Sequence, residues 1–106
     1  MQETICKKAL PYVKSGDLYM LTEIYNTYNE ARDPYVFQRV FLSACVHKKI
    51  NILSWLCQIY NSVDYITQIA LKPTIIHGKY IIKDKQFLKE YNTLVGPILN
   101  RKKGYP

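Results

Sequence analysis

The chain has 106 residues, a length that supports one small domain with a single core. Hydrophobic residues make up 48% of it and charged residues 22%, and no stretch reaches the ~20 apolar residues of a membrane-spanning helix. The net charge of +7 is concentrated in residues 72–106, which carry eight basic and two acidic residues, and such a basic field favours nucleic acid, acidic protein surfaces or lipid headgroups.

Cysteine usage and the first residues predict an intracellular protein, cytoplasmic or nuclear. Lys7-Lys8 interrupts any apolar run near Met1, so no secretory signal is predicted. The three cysteines are an odd number, and all of them lie in apolar, helix-forming stretches. We therefore expect buried free thiols in a reducing compartment and no disulfide scaffold.

A first pair of helices is predicted over residues 2–12 and 18–28. Apolar residues recur there at intervals of three and four, the spacing that places side chains on one face of a helix. Pro11 predicts an early end of the first helix. The Ser15-Gly16-Asp17 break follows, and its polar side chains can accept hydrogen bonds from the free amides of the next helix.

A second pair occupies residues 35–47 and 50–60. Asp33-Pro34 is a clear helix start, with Asp as the cap and Pro at the first helical position. The polar residues His47-Lys48-Lys49 separate the two helices. The second helix carries the only Trp and an apolar face at helical spacing, so this pair is the predicted centre of the core.

The third unit begins at Asp64, which is predicted to cap a helix over residues 65–71. The expected core face of this helix consists of Ile66, Ile69 and Ala70. Pro73 is predicted to stop or kink the helix, because proline lacks the N–H that the next helical turn needs.

Residues 74–83 have two interpretations, a β-hairpin that turns at Gly78-Lys79 or a helix end followed by a loop. A last helix is predicted over residues 84–94, and Gly96-Pro97 ends it. Residues 99–106 are predicted to be a basic mobile tail.

Three similar tetrads indicate an internal repeat. They lie 35 and 31 residues apart and read Ile24-Tyr25-Asn26-Thr27, Ile59-Tyr60-Asn61-Ser62 and Glu90-Tyr91-Asn92-Thr93. Residues 16–21 also align with residues 48–53 at a spacing of 32, and residues 47–50 align with 77–80 at a spacing of 30.

These spacings predict an all-α fold, a short stack of about three antiparallel helix hairpins in one domain over residues 1–98. The units are roughly residues 1–29, 33–61 and 64–94. At the 31-residue spacing Asp84 aligns with Leu53, so the third unit is expected to be a polar end cap.

The segment FLSACVHKKINILSWL, residues 41–56, resembles the two-helix core of an ankyrin-type repeat. Ala44 matches the small residue of the first helix, and His47-Lys48-Lys49 matches the polar turn before an I-x-x-L helix. Residues 15–25, SGDLYMLTEIY, resemble the second half of another such repeat. The chain lacks the Thr-Pro-Leu-His signature of the family, and Lys48-Lys49 stands where the central turn has glycine.

Similar degenerate ankyrin-like repeats occur in proteins of large DNA viruses, where they often act on host partners. The resemblance implies a non-enzymatic module that binds another protein, with no cofactor. Self-association is a second expected outcome, because a short stack with an open end leaves apolar surface uncovered.

Partner contacts are expected along the hairpin turns and first helices. The candidates stand at equivalent positions in the three units, and they are Lys14, Asp17, Tyr19, His47, Lys48, Lys49, Asn51, His77 and Lys79. An exposed Tyr is well suited to such a surface, because its ring is rigid, large and able to hydrogen-bond.

No catalytic, cofactor or metal site is predicted. Cys45, His47 and Cys57 could supply three metal ligands, but both cysteines have core spacing and a fourth ligand is missing. A nucleophilic Cys57 would need a base and an orienting acid, and only His47 is near it in sequence. The sequence has no phosphate-binding glycine loop, and Asp33 and Asp64 are better explained as caps, so an enzyme is not expected.

The alternative is a winged helix-turn-helix protein that binds nucleic acid. Residues 64–72 would be its recognition helix and residues 74–83 its wing. The contacts would come from Thr67, Gln68, Lys72, Lys79, Lys83, Lys85, Arg101, Lys102 and Lys103. Against this alternative, the recognition helix starts with an acidic residue and offers few side chains that read bases.

Overall fold

The structure, a computed structural model, describes residues 2–99, apart from the side chain of Gln2. Within this range the chain forms helices and no strand, so the all-α prediction is confirmed. The α-helices are α1 (Gln2–Ser15), α2 (Leu18–Thr27), α3 (Pro34–Val46), α4 (Ile50–Ser62), α5 (Tyr65–Ile81) and α6 (Lys85–Leu99), and a 3₁₀ helix spans Asn29–Arg32. The predicted tail lies outside the described residues, except for Leu99 at the end of α6.

The helices pair as three consecutive hairpins, α1 with α2, α3 with α4 and α5 with α6, because short turns bring each pair together. The first helices make one row, in which α1 contacts α3 and α3 contacts α5. The second helices are linked as well. The rings of Tyr25 in α2 and Trp55 in α4 meet edge to face at 5.7 Å, and α4 contacts α6.

Aspartate side chains start four of the described helices. Asp17, Asp33, Asp64 and Asp84 each accept a hydrogen bond from a backbone N–H of the first helical turn, at 2.8 to 3.1 Å. Pro34 at the first position of α3 completes the predicted start of that helix. The predicted caps Asp17, Asp33 and Asp64 are therefore confirmed, and Asp84 is a fourth cap that was not predicted. Each satisfies an amide that the helix leaves unpaired.

The first two hairpin turns have the same geometry, 32 residues apart in the sequence. Gly16 and Lys48 both lie in the left-handed region, with φ of 77° and 57°. The N–H of the following residue, Asp17 or Lys49, donates to the carbonyl five residues before it, at 2.8 and 2.9 Å. This is a Schellman helix end, which favours glycine at the left-handed position. The 32-residue spacing predicted for the first two units is confirmed.

Three predicted helix ends are wrong, and each lies at a proline. Pro11, Pro73 and Pro97 lie inside α1, α5 and α6. A proline inside a helix costs about 3 kcal/mol, because it removes a hydrogen bond and crowds the preceding turn. All three rings are exposed, and a buried residue follows each of them within two positions: Val13, Ile75 and Ile98. Burial of the turn beyond the proline outweighs the local cost.

The third unit differs most from its prediction. Residues 74–83 form no β-hairpin, since α5 continues as one helix to Ile81, and the third turn lies at residues 82–84. The predicted core face of α5, Ile66, Ile69 and Ala70, is exposed. The residues that α5 buries are instead Leu71, Thr74, Ile75 and Gly78.

The centre of the third unit is packed around Tyr91, which is fully buried. Its hydroxyl donates to the Ile75 carbonyl in α5, and its ring meets Phe41 edge to face at 6.2 Å. Gly78 makes room for it, because a Cβ there would overlap the Tyr91 hydroxyl and lie 3.1 Å from the Cys45 sulfur. α6 buries Phe87, Tyr91, Val95 and Ile98, but its exposed residues are mostly polar. The expected polar end cap is therefore wrong only for α5, whose exposed residues include Ile66 and Ile69.

Candidate interaction surface

The three hairpin turns lie side by side along one edge of the stack, named here the turn edge (residues 14–19, 47–51 and 82–84). A Cβ placed on Gly16 would lie 3.6 Å from Lys49 Nζ, so the Lys49 side chain of the second turn lies against the first turn. Lys48 Nζ lies 3.2 Å from Asp84 Oδ2, which joins the second turn to the third. The Phe87 N–H and then Lys48 hold the pKa of Asp84 below its ordinary value, because both stabilise the carboxylate.

The predicted contact residues of the first two units all lie on the turn edge: Lys14, Asp17, Tyr19, His47, Lys48, Lys49 and Asn51. Lys14, Tyr19, Lys48 and Asn51 are exposed. The carboxylate of Asp17 is already engaged as the cap of α2, at 3.1 Å from the Met20 amide nitrogen. The structure thus brings these seven residues together, and their role in binding stays a prediction.

His77 and Lys79 are not turn residues, contrary to their prediction. Both lie inside α5, and both are exposed on its outer side. The alignment with residues 47–50 misplaced them, because the third turn comes later, and Lys83 and Asp84 occupy the corresponding place.

The outer side of α5 carries a row of exposed apolar residues, named here the α5 stripe: Ile66, Ile69, Pro73, Ile76 and Tyr80. The intervals alternate between three and four residues, which keeps all five on one face of the helix. The four larger side chains are 41% to 72% exposed. This spacing is present in the sequence, but a predicted helix end at Pro73 divides the five residues between two elements, so the stripe was not predicted.

The α5 stripe lies at the open end of the row of first helices. The opposite face of α5 packs on α3, so a further helix would have to contact the stripe in order to continue the row. The other end of the row is α1, whose exposed residues are mostly polar: Glu3, Thr4, Lys7, Lys8, Lys14 and Ser15. The two ends of the stack therefore differ, and the α5 end is the apolar one.

The α5 stripe and the turn edge meet at a hollow beside Tyr80. Val46, which is 60% exposed, lines this hollow together with Ile82. Lys48, Lys83 and Asp84 form its polar side. The two surfaces are therefore continuous, apolar along α5 and charged at the turns.

An apolar cavity of about 250 Å³ opens on the other side of the stack, between α2 and α4. Trp55 and Tyr25 line it, and the Arg32 guanidinium lies 4.2 Å from the centre of the Tyr25 ring. The lining contains no carboxylate, imidazole or thiol. The lining offers the hydroxyls of Tyr25 and Thr67, but no carboxylate or imidazole that could serve them as a base.

The three cysteines are buried and free, as predicted. Burial raises the pKa of Cys45 to about 12 and that of Cys57 to about 11, and the neighbouring Cys57 adds to the effect on Cys45. Thiols with such pKa values are protonated at neutral pH and react slowly. Within residues 2–99, no three His, Cys, Asp or Glu side chains come together as metal ligands.

The residues of the nucleic-acid alternative do not form the expected arrangement. The wing is wrong, because residues 74–81 are helical. Thr67 and Gln68 are half-buried, and Gln68 Nε2 donates to the Tyr60 carbonyl at 2.8 Å, so this amide is engaged within the fold. The exposed lysines of the set are Lys79, Lys83 and Lys85. Arg101, Lys102 and Lys103 lie outside the described residues.

No protein-family model, curated protein or solved structure matches the chain. Within residues 2–99, no helix is both long enough and apolar enough to cross a bilayer.

Proposed function

We propose that this chain is a non-enzymatic protein-interaction domain, an ankyrin-like stack of helical hairpins that binds its partner along the α5 stripe and the adjoining turn edge. The observation that carries the proposal is the α5 stripe. Monomeric proteins rarely leave a contiguous apolar patch of this kind exposed, and such a patch usually marks a site where another molecule binds. The burial of all three thiols supports an intracellular setting for the interaction.

The location of the stripe supports binding of a protein. A repeat stack grows by packing one helical hairpin on the next, and the terminal hairpin needs a polar outer face to remain unpaired. The outer face of α5 is apolar, while that of α1 is mostly polar. A partner that packs on α5 would complete the stack in the way that a further hairpin would.

The test is quantitative affinity capture from cells with three baits: the unmodified chain, Ile69→Asp and Tyr19→Asp. Ile69→Asp places a charge in the α5 stripe, and Tyr19→Asp places the same charge at an exposed site on the turn edge. Both variants should keep their stability within about 0.5 kcal/mol, because both positions are exposed.

We expect the unmodified chain to recover a protein that also binds the purified chain saturably. The Ile69→Asp bait should recover about tenfold less of that protein. If Tyr19→Asp also recovers less of this protein, the contact extends to the first turn. If no saturable partner is found, or if Ile69→Asp recovers every partner in full, the proposed function is wrong.

Nucleic-acid binding is the second candidate, and three exposed lysines favour it: Lys79 near the end of α5, Lys83 in the third turn and Lys85 at the start of α6. Such lysines would contact backbone phosphates, so duplex binding should weaken steeply as salt concentration rises. A titration of a labelled DNA duplex at low and physiological salt tests this candidate. The absence of measurable binding at low salt would remove it.

A further inference from the structure

The α5 stripe has the spacing of a coiled-coil seam. Its five residues follow one another at the alternating intervals of the a and d positions, with Ile66, Pro73 and Tyr80 at a and Ile69 and Ile76 at d. A helix rises 1.5 Å per residue, so the stripe is about 21 Å long. One partner helix of about four turns therefore covers it.

The flanks of the stripe are basic or neutral. Lys72 and Lys79 stand at the g positions on one side, and Ala70 and His77 stand at the e positions on the other. No Asp or Glu occurs anywhere from residue 65 to residue 83. Neither lysine forms an ion pair with another described residue. Lys79 Nζ lies 5.2 Å from the centre of the Tyr80 ring, so this charge is held beside the stripe, and Lys72 is half-buried.

A second copy of the chain fits this face poorly. In an antiparallel pair of α5 helices, the lysines of one copy would face the lysines of the other. In a parallel pair they would face Ala70 and His77, which offer no carboxylate. Like charges at these positions disfavour pairing, while opposite charges set partner choice in coiled coils.

We propose that the α5 stripe binds an acidic amphipathic helix of another protein, one whose apolar seam is flanked by Asp or Glu. The apolar side chains of the stripe bury the seam, as in other helix-in-groove complexes. Lys72 and Lys79 pair with the carboxylates of the partner and select it over a neutral or basic helix. This inference rests on the proposed function and names the class of partner that the same surface takes.

The test uses three synthetic peptides and fluorescence anisotropy with the full chain. The acidic peptide has Leu at every a and d position and Glu at every e and g position, over three heptads. The basic peptide has Lys in place of each Glu. The third peptide contains the residues of the acidic one in scrambled order, and it controls for general attraction to a chain of net charge +7.

We expect the acidic peptide to bind about tenfold more tightly than either of the others. Ile69→Asp should weaken this binding about tenfold. Asn26→Asp adds the same charge at an exposed position of α2, outside both surfaces, and should leave the binding unchanged. The double variant Lys72→Glu/Lys79→Glu should reverse the preference, so that the basic peptide binds more tightly. This reversal depends on the flanking charges and is not expected from a stripe that is only hydrophobic.

Four results would overturn the inference. Equal binding of the acidic and scrambled peptides would show that bulk charge is responsible. Sedimentation equilibrium could show a dimer that Ile69→Asp abolishes and that the acidic peptide does not displace. The α5 stripe would then bind a second copy of the chain. Stripe-dependent binding to phosphatidylserine vesicles without peptide binding would make it a lipid surface. If the peptides fail but cellular capture still depends on Ile69, the proposed function stands and only the acidic helix is wrong.

Discussion

Replacing Gly78 with alanine should destabilise the fold, although alanine is the better helix former. Gly78 lies in α5, where a Cβ would overlap the Tyr91 hydroxyl and lie 3.1 Å from Cys45 Sγ. Tyr91 is fully buried, and its hydroxyl donates to the Ile75 carbonyl. The ring therefore cannot move away from the new methyl group without losing that hydrogen bond or displacing its neighbours.

Three contributions set the size of the effect. Alanine in place of glycine favours a helix by about 1 kcal/mol. Overfilling a packed core costs about 1–3 kcal/mol, and the loss of one buried hydrogen bond costs about 1 kcal/mol more. We expect Gly78→Ala to lower the free energy of unfolding by about 1–3 kcal/mol, which corresponds to a fall in Tm of roughly 5–20 °C.

Urea unfolding followed by circular dichroism measures this change, with Lys79→Ala as the exposed neighbour that should alter stability by less than about 0.5 kcal/mol. A double-mutant cycle with Tyr91→Phe isolates the contact. Tyr91→Phe alone should cost about 1 kcal/mol, but in the G78A background it should cost less or restore stability, because the overlapping oxygen is gone. If G78A is as stable as the unmodified chain, or if the two changes are additive, the packing of α5 on Tyr91 is wrong.

Trp55→Ala should lower the free energy of unfolding by about 2–3 kcal/mol. This is less than for a fully buried Trp, because the Trp55 side chain is half-buried beside a cavity. A near-neutral result in urea unfolding would show that Trp55 is not part of the core. Thermal stability should fall as the pH rises above 9.0. Folding raises the pKa of Cys45 from 9.0 to about 12 and that of Cys57 from 9.0 to about 11. The folded chain therefore keeps two protons that the unfolded chain releases in this pH range. A Tm that stays constant between pH 9 and about 11 would contradict this burial. Asp33→Ala should cost about 1 kcal/mol by removing the cap of α3, and an unchanged urea midpoint would show that Pro34 alone starts the helix.

The helix starts could be predicted from the sequence because their signals are local. An aspartate before an apolar periodic segment satisfies the first amides of a helix wherever the helix packs. The match between Gly16 and Lys48 was readable for a related reason. Both take the left-handed position of a Schellman turn between apolar helices, and the spacing of 32 keeps the buried positions of the two units in step.

The third unit could not be predicted in this way, because its signals depend on packing. Pro73 is a local helix breaker, yet the turn beyond it continues because Thr74, Ile75 and Gly78 are buried. Apolar residues occur on both faces of α5, so periodicity alone does not identify the core side. The face with Gly78 is buried, since only a residue without a side chain fits against Tyr91, and the isoleucine face is left outside.

The most direct test of the α5 stripe as the binding surface is a map of backbone amide chemical shifts, recorded while the captured partner or the acidic peptide is added to the labelled chain. We predict that the shift changes lie on the outer side of α5, at Ile66, Ile69, Ile76 and Tyr80, and continue to the hollow at Val46 and Lys83. Shift changes confined to α1 and α2, or to the cavity beneath Trp55, would show that the α5 stripe is not the binding surface.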